Sequence, residues 1–560
     1  MDVPVPDSLH RWQRDRTAIA VAALALGALL VRLVDLGYRT AQYDEGWVGY
    51  WILRYVETGA WEYRPLVHGP FLPHINRWVF TLLGANDFTA RLVVAVLGGL
   101  LPLTALLFRD RLGRVEVLAL GALLASNPIL LYYSRFMRFD FPLAACMFAG
   151  LGFLVRALDR SDPRYLYPAG GSVALGMTTK ESWILYFVAW VGAAAFALDT
   201  RLLSGSGSEV DRLRALPGRV LCRLWRWRRS IFGAAIVWLV VLVFFYAPRS
   251  GSTDEPGLWR AFGDPGLFPT VLSAATIGSA RKLYDFWVSG GLQKHPYIPY
   301  LQDYLATMWE GAFVVVVFAV LGFLVDRYAV GEPRSLVTFA FVWGVLKVVG
   351  YPLANFLQTP WSTVHAVVPL AIPAAVGIAV VYRLGRAAWE RDRKSVAAVA
   401  IAVLVLAAGA SAATAVRTSY IAPQDGDSEL VYLSQAESDI KPTLGVVELA
   451  VENNEGLDVL YYGAAWNISS ESIADRPPAY GGWHARLPLP WYLEAMEANR
   501  TSSARVAALQ GENPPVVITK VEYAPVVAAR LGDGYWTSTL NLTQIDKRTV
   551  FFVRRSATRE

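Results

Sequence analysis

Between residues 17 and 416 the sequence returns eleven times to an apolar run of membrane-crossing character. The runs fall near 17–36, 89–108, 115–133, 141–157, 165–179, 183–199, 231–248, 311–325, 336–352, 364–382 and 396–416. A helix needs about 20 apolar residues to cross a bilayer, and hydrocarbon offers the backbone no hydrogen-bond partner. The chain is therefore expected to be a polytopic bundle of about eleven helical spans. With 54% hydrophobic and 18% charged residues, it does not read as an ordinary soluble enzyme.

Charge gives the bundle a direction. Arginines gather in alternate connections: Arg109, Arg111 and Arg114; Arg160 and Arg164; eight between 200 and 230; Arg327 and Arg334; and Arg383 through Lys394. Cytoplasmic loops collect such charge, so the N-terminus is expected inside, where Arg11, Arg14 and Arg16 precede a retained anchor. Residues 37–88, 249–310 and 417–560 then lie outside. From Tyr420 onward there are 18 acidic and 12 basic residues, so an acidic tail follows a basic membrane part.

The expected division is a transmembrane domain over 1–416 and a soluble extracytoplasmic domain over 417–560. In the tail, helices are expected over 441–453 and 491–499, and strands over 457–462, 515–519 and 550–553. That alternation indicates an α/β domain with a partly parallel sheet. It carries three glycosylation sequons, beginning at Asn467, Asn499 and Asn541, which fits an outside location. Cys146 and Cys222 are too few for a disulfide scaffold or a zinc site. The Ser-Gly run at 204–208 reads as a flexible loop. No basic aromatic array suited to nucleic acid is present.

Three outside turns combine charges in places that lipid would normally exclude. The first is Tyr43-Asp44-Glu45-Gly46-Trp47, opening an expected interfacial amphipathic helix over 45–56. Asp44 and Glu45 could serve as helix cap and first-turn acid, or as a general base. The second is Ser134-Arg135-Phe136-Met137-Arg138-Phe139-Asp140, and the third Thr178-Thr179-Lys180-Glu181-Ser182. An Arg138–Asp140 pair could simply fix its turn; alternatively Arg135 or Arg138 holds a phosphate. His68, in His68-Gly69-Pro70, and Trp361 and His365, in Thr359-Pro360-Trp361-Ser362-Thr363-Val364-His365, are candidate substrate contacts. Structural roles compete for each, a loop histidine or a membrane-belt tryptophan.

Taken in order along one membrane chain, these turns resemble the GT-C membrane glycosyltransferases. The likeness is to the protein O-mannosyltransferase-like branch, nearest an archaeal group associated with flippase activity in glycan assembly. It includes Leu487-Pro488-Leu489-Pro490-Trp491-Tyr492 in the tail. The resemblance implies inverting transfer of a sugar, such as mannose, from a polyprenyl- or dolichyl-phosphate carrier to a glycan or protein acceptor outside. Asp44 would then be the catalytic carboxylate, with Glu45 beside it. Arg135, Arg138, Asp140, Lys180 and Glu181 would surround the donor phosphate. Relatives that use a divalent metal carry a second acid in the second turn, where this chain has Arg138 and Phe139 before Asp140. That argues against an obligatory metal, and no other cofactor is implied. The alternative is a non-catalytic component of lipid-linked glycan translocation.

Overall fold

A computed structural model describes residues 7–65, 68–203, 209–249, 256–287, 295–329, 333–355, 357–471, 481–510, 514–545 and 548–558. The Ser-Gly run at 204–208 lies outside them. Nine of the described helices are long and apolar enough to cross a membrane. Two further passes are shorter than the sequence suggests: 114–133 is broken into Arg114–Ser126 and Pro128–Tyr133, and 166–177 is a single 12-residue helix.

Ion pairs show that these short segments nevertheless traverse the bundle. Arg111 meets Asp159 and Arg160 meets Asp110 at one end. Arg138 meets Asp44 and Lys180 meets Asp140 at the other. The chain must therefore return between 111 and 138, and again between 160 and 180. One end of the bundle thus gathers all three charged turns.

The expected outside loop 249–310 is partly helical. It includes Leu258–Gly263, Phe268–Ser273 and Ser279–Trp287, and the next long helix starts at Tyr297 rather than near 311. The helices Tyr297–Tyr328 and Val364–Glu390 touch backbone to backbone: a Cβ on Gly377 would lie 2.1 Å from the Phe318 carbonyl oxygen. Small residues permit such close approach.

Helix α1 (Asp7–Leu33) leads through a short turn into α2 (Tyr43–Thr58). The second helix forms where the amphipathic helix was expected, with most of its large side chains packed against protein. Val48, Tyr50, Trp51, Ile52 and Tyr55 are all buried: Val48 and Ile52 in the core of the bundle, Tyr55 against His74, and Tyr50 and Trp51 against Trp483 and Leu487 of the tail. A Cβ on Gly46 would lie 2.8 Å from Pro488, and one on Gly49 2.6 Å from the Trp491 ring. The Leu487–Tyr492 motif is thus the tail's seat on α2. Asp87 extends that seat, accepting from Trp491 Nε1 at 3.1 Å and Tyr492 Oη at 3.0 Å and pairing with Lys441 at 2.7 Å.

The tail carries a five-stranded sheet of order β2-β1-β3-β5-β4. Its strands are β1 (Val459–Tyr462), β2 (Arg500–Ser503), β3 (Val516–Lys520), β4 (Tyr535–Asn541) and β5 (Arg548–Arg554). β1 runs parallel to β2 and β3, whereas β5 is antiparallel to β3 and β4. The sequence indicates β1, β3 and β5, whose side chains are mostly buried. It does not indicate β2 and β4, whose polar residues alternate with little apolar signal. Apolar clusters cover both faces, one built on Leu444, Val447 and Trp466 and the other on Val527 and Tyr535.

Gly49→Ala is expected to unseat the tail from α2. Overpacking of this kind costs about 1–3 kcal/mol, read as a lower melting temperature and faster proteolysis within the tail.

Candidate active site

Two adjacent carboxylates at the start of α2 have opposite fates. Gln42 is the residue that precedes the helix, so Asp44 lies within its first turn rather than capping it. Glu45 is 2% exposed and accepts from five donors. These are Arg39 Nη2 (2.8 Å), Arg91 Nε (2.9 Å) and Nη2 (3.1 Å), and the backbone N–H groups of Gln42 (2.9 Å) and Met137 (2.8 Å). A carboxylate has about four acceptor sites, so nothing remains for a substrate. Glu45, expected to support Asp44 or contact the acceptor, ties the first and second charged turns to the helix carrying Arg91. Burial alone would raise its carboxyl, but Arg39 and Arg91 hold it well below the ordinary glutamate range.

Asp44 keeps a third of its side chain exposed and accepts from Arg138 Nη1 at 2.6 Å. Arg138 also donates to Gln42 Oε1 at 2.8 Å, and its guanidinium lies 3.4 Å above the Trp361 ring. The turn-fixing Arg138–Asp140 pair is not formed. Arg138 Nε is buried and has no partner among the described residues. Arg135 does something else. Its Nη atoms donate to the carbonyls of Arg32, Val34 and Asp35 at 3.1, 2.6 and 3.0 Å, closing the end of α1. Burial lowers it to about 10. The carbonyls thus take up Arg135 Nη1 and one Nη2 donor of a residue expected to hold phosphate.

Asp140 opens its own helix, fully inside, with Lys180 Nζ at 2.8 and 3.0 Å and His365 Nε2 at 3.1 Å. The other His365 nitrogen meets Tyr186 Oη at 2.5 Å, and its ring stacks on Tyr351 with centroids 4.7 Å apart. An ammonium has three donors, and among the described residues Lys180 spends its bonds on Asp140 alone, which leaves a donor over. Glu181 turns away, accepting from Tyr63 at 3.0 Å and facing His68 Nδ1 at 3.3 Å. His68 has φ 65°, and Gly69 admits the carbonyls of Thr178 and Thr179 where a Cβ would lie 2.2 and 2.6 Å away. Gly69 and Phe71 N–H groups bond those same carbonyls at 3.0 and 2.9 Å. The His-Gly-Pro motif therefore pins the Lys180 turn.

The structure thus gathers Asp44, Arg138 and Trp361 into one contact group and Asp140, Lys180 and His365 into a second at the same end of the bundle. It adds Gln42, Tyr186 and Tyr432, none signalled by the sequence, and the Glu45 partners Arg39 and Arg91. Arg91 did leave a trace: a charge inside an apolar run needs a buried partner. Lys347 is 1% exposed, 3.7 Å above the Tyr186 ring, with no hydrogen-bond partner among the described residues. A divalent ion does not fit this set, because Asp44 and Asp140 each already face a cation.

Residues 67–207 match the family described as dolichyl-phosphate-mannose-protein mannosyltransferase, and residues 440–554 match the Agl23 flippase-associated protein C-terminal domain. These two matches, one in the transmembrane part and one in the tail, make the chain similar to the PMT-like, Agl23 branch of the GT-C glycosyltransferases. Among solved structures of GT-C fold it is similar to apo ArnT from Cupriavidus metallidurans. The TM-score is 0.56 at 15% identity, over 96% of this chain and 99% of that one. ArnT bound to undecaprenyl phosphate aligns at 0.53, with the same identity and coverage. The apo oligosaccharyltransferase of Archaeoglobus fulgidus gives 0.53 at 13% identity, over 95% of this chain and 75% of that one. At these identities the GT-C likeness is one of fold. No curated protein matches the chain.

Glu45→Gln should lower stability by about 3–5 kcal/mol, because Arg39 and Arg91 would be left buried with one charge fewer. Since the Glu45 carboxyl is depressed in the folded state, its contribution is complete above the ordinary value of 4.5 and is lost as pH falls below it. Thermal melts down to about pH 3 should show less acid sensitivity in Glu45→Gln than in wild type.

Proposed function

We propose that this chain transfers a sugar from a polyprenyl-phosphate carrier to an acceptor hydroxyl at the outer face of the membrane. In this reading the N-terminus is cytoplasmic, and the tail domain, running from about residue 417, is extracytoplasmic. The observation that carries the reading is Arg138: a buried guanidinium whose Nε has no partner among the described residues, held 2.6 Å from the partly exposed Asp44. A phosphate reaching this rim would find the spare donors of Arg138 and of Lys180. An acceptor hydroxyl would find a carboxylate beside them.

Asp44 accepts the acceptor's proton as its oxygen attacks sugar C1 from the face opposite the phosphate. The C1–O bond to phosphate breaks, and its electron pair stays on the phosphate oxygen. Arg138 and Lys180 stabilise that developing charge, as preorganised cations do in a site shielded from water. The anomeric centre inverts. Asp140 aims Lys180, and His365 with Tyr186 fixes Asp140. Trp361 supports Arg138 from below, while Glu181 and His68 hold the flank. Mannose is the favoured sugar, from the description of the family matched by residues 67–207.

A second reading, a non-catalytic component of lipid-linked glycan translocation, is favoured by the description matched by residues 440–554. A translocator lines its midplane with polar groups. Here the charged clusters sit at the two ends of the bundle, and Lys347 is the exception among the described residues of its helix.

With a labelled polyprenyl-phosphate mannose, Asp44→Asn should lose about 10²–10⁴-fold in transfer rate while keeping donor binding. Full transfer by Asp44→Asn removes it as the base. Lys180→Met should weaken donor binding and transfer together. A wild-type protein that transfers from none of the polyprenyl-phosphate hexoses, yet accelerates movement of lipid-linked glycan across vesicles, selects the second reading.

A further inference from the structure

A cavity of about 260 Å³ opens where the helix Tyr297–Tyr328, the turn at 358–360 and the 426–433 segment of the tail meet. Hydrogen bonds fix its walls. Glu310 accepts from Ser428 Oγ at 2.8 Å and from the Glu429 N–H at 2.7 Å, and Thr307 Oγ1 donates to the Glu429 carbonyl at 3.2 Å. Tyr304 Oη donates to the Ser362 carbonyl at 3.1 Å, and Tyr300 Oη accepts from Asn355 Nδ2 at 2.9 Å. Four other lining side chains are unspent. Among the described residues, those of Asp303, Gln358, Glu429 and Tyr432 have no hydrogen-bond or ion-pair partner, and all four are at least partly exposed. Burial, Glu310 and Asp303 raise the Glu429 carboxyl above its ordinary range, so these carboxyls converge. Tyr432 joins the cavity to the reaction site. Its ring packs edge-on against Trp361, the ring beneath Arg138, at 4.7 Å. Burial and the Asp44 carboxylate raise its phenol while Arg138 lowers it, so its hydroxyl lies within the field of both.

We propose that this cavity is a sugar-binding site for the acceptor, holding one uncharged pyranose ring next to Asp44. The inference rests on the transfer reading above and adds the acceptor class: a carbohydrate rather than a peptide. The cavity is smaller than the roughly 300–1,000 Å³ that drug-sized ligands occupy, which suits a single ring. A sugar hydroxyl both donates and accepts. It can donate to Asp303 or Glu429 and accept from the Gln358 amide or the Tyr432 phenol. The Tyr300 and Tyr304 rings supply apolar contact for the C–H groups of the pyranose. A peptide backbone brings carbonyls as often as N–H groups, and two carboxylates repel the former. They repel an anionic sugar likewise. The tail shapes one lip of the cavity: a Cβ on Gly426 would lie 2.4 Å from Gln544 Oε1. Tail docking therefore takes a direct part in acceptor selection.

The test is equilibrium binding to the full-length protein in nanodiscs, read by saturation-transfer NMR. The probes are the methyl α-glycosides of mannose, glucose and galactose, with 1,4-diaminobutane and a serine-containing tripeptide beside them. At least one glycoside should bind. Asp303→Asn and Gln358→Ala should each weaken it about ten-fold, the loss expected for one strong hydrogen bond. Binding of polyprenyl phosphate, which engages Arg138 and Lys180, should match wild type in both variants and so report an intact fold. A protein that takes the diamine or the peptide and none of the glycosides, or a glycoside affinity indifferent to both variants, overturns the assignment. Glycoside binding that obeys the variants without any transfer overturns the transfer reading and leaves the cavity's assignment standing. Transfer by wild type with no glycoside binding overturns the assignment alone.

Discussion

The Glu45 carboxylate is the fixed point of this molecule. Its five donors come from the turn after α1, the start of α2, the Arg91 helix and the second charged turn. Two guanidiniums and one carboxylate taken out of water are costly unless their geometry is complete, and here every acceptor site is filled. The arrangement leaves Asp44, one residue earlier, pointing elsewhere to meet Arg138. The adjacent acids divide the work: one is spent on structure, which fixes where the other faces.

The same economy repeats at lower depth. Arg135 and Arg138 are three residues apart, but one is consumed by carbonyls at the end of α1 while the other keeps a donor unspent. Lys180 is held by Asp140, and Asp140 by His365, which is held in turn by Tyr186. Backbone supports these chains of side chains. The carbonyls of Thr178 and Thr179 lie where Gly69 lacks a Cβ, so the Lys180 turn cannot shift without moving the His-Gly-Pro strand of chain beside it.

The tail is part of the site rather than an appendage. Ser434 bonds Gln42, whose other side-chain atom holds Arg138. Gln435 reaches Arg39, and so the Glu45 centre. Asp87 gathers Lys441, Trp491 and Tyr492 at the end of an apolar helix. Contacts of this kind make tail docking and site geometry one equilibrium, so a perturbation at Gly49 should be felt at Asp44.

The sequence by itself determined the membrane bundle, its charge asymmetry and the three charged turns. Those follow from local patterns: apolar length, arginine clusters, and ionisable residues where lipid would exclude them. It also marked the tail as α/β, since buried strands are apolar throughout, while the polar edge strands β2 and β4 left no pattern to read. Tertiary structure alone decided which member of each charged pair was spent and which was spared. Glu45 and Arg135 are as conspicuous in sequence as Asp44 and Arg138. Only partners up to 396 residues away, such as Gln435 for Arg39, separate them. The burial of α2 beneath the tail was hidden for the same reason, because an amphipathic helix has one apolar face whether lipid or protein covers it. Pairing across such sequence distances depends on where whole helices pack, and no local window of residues contains that information.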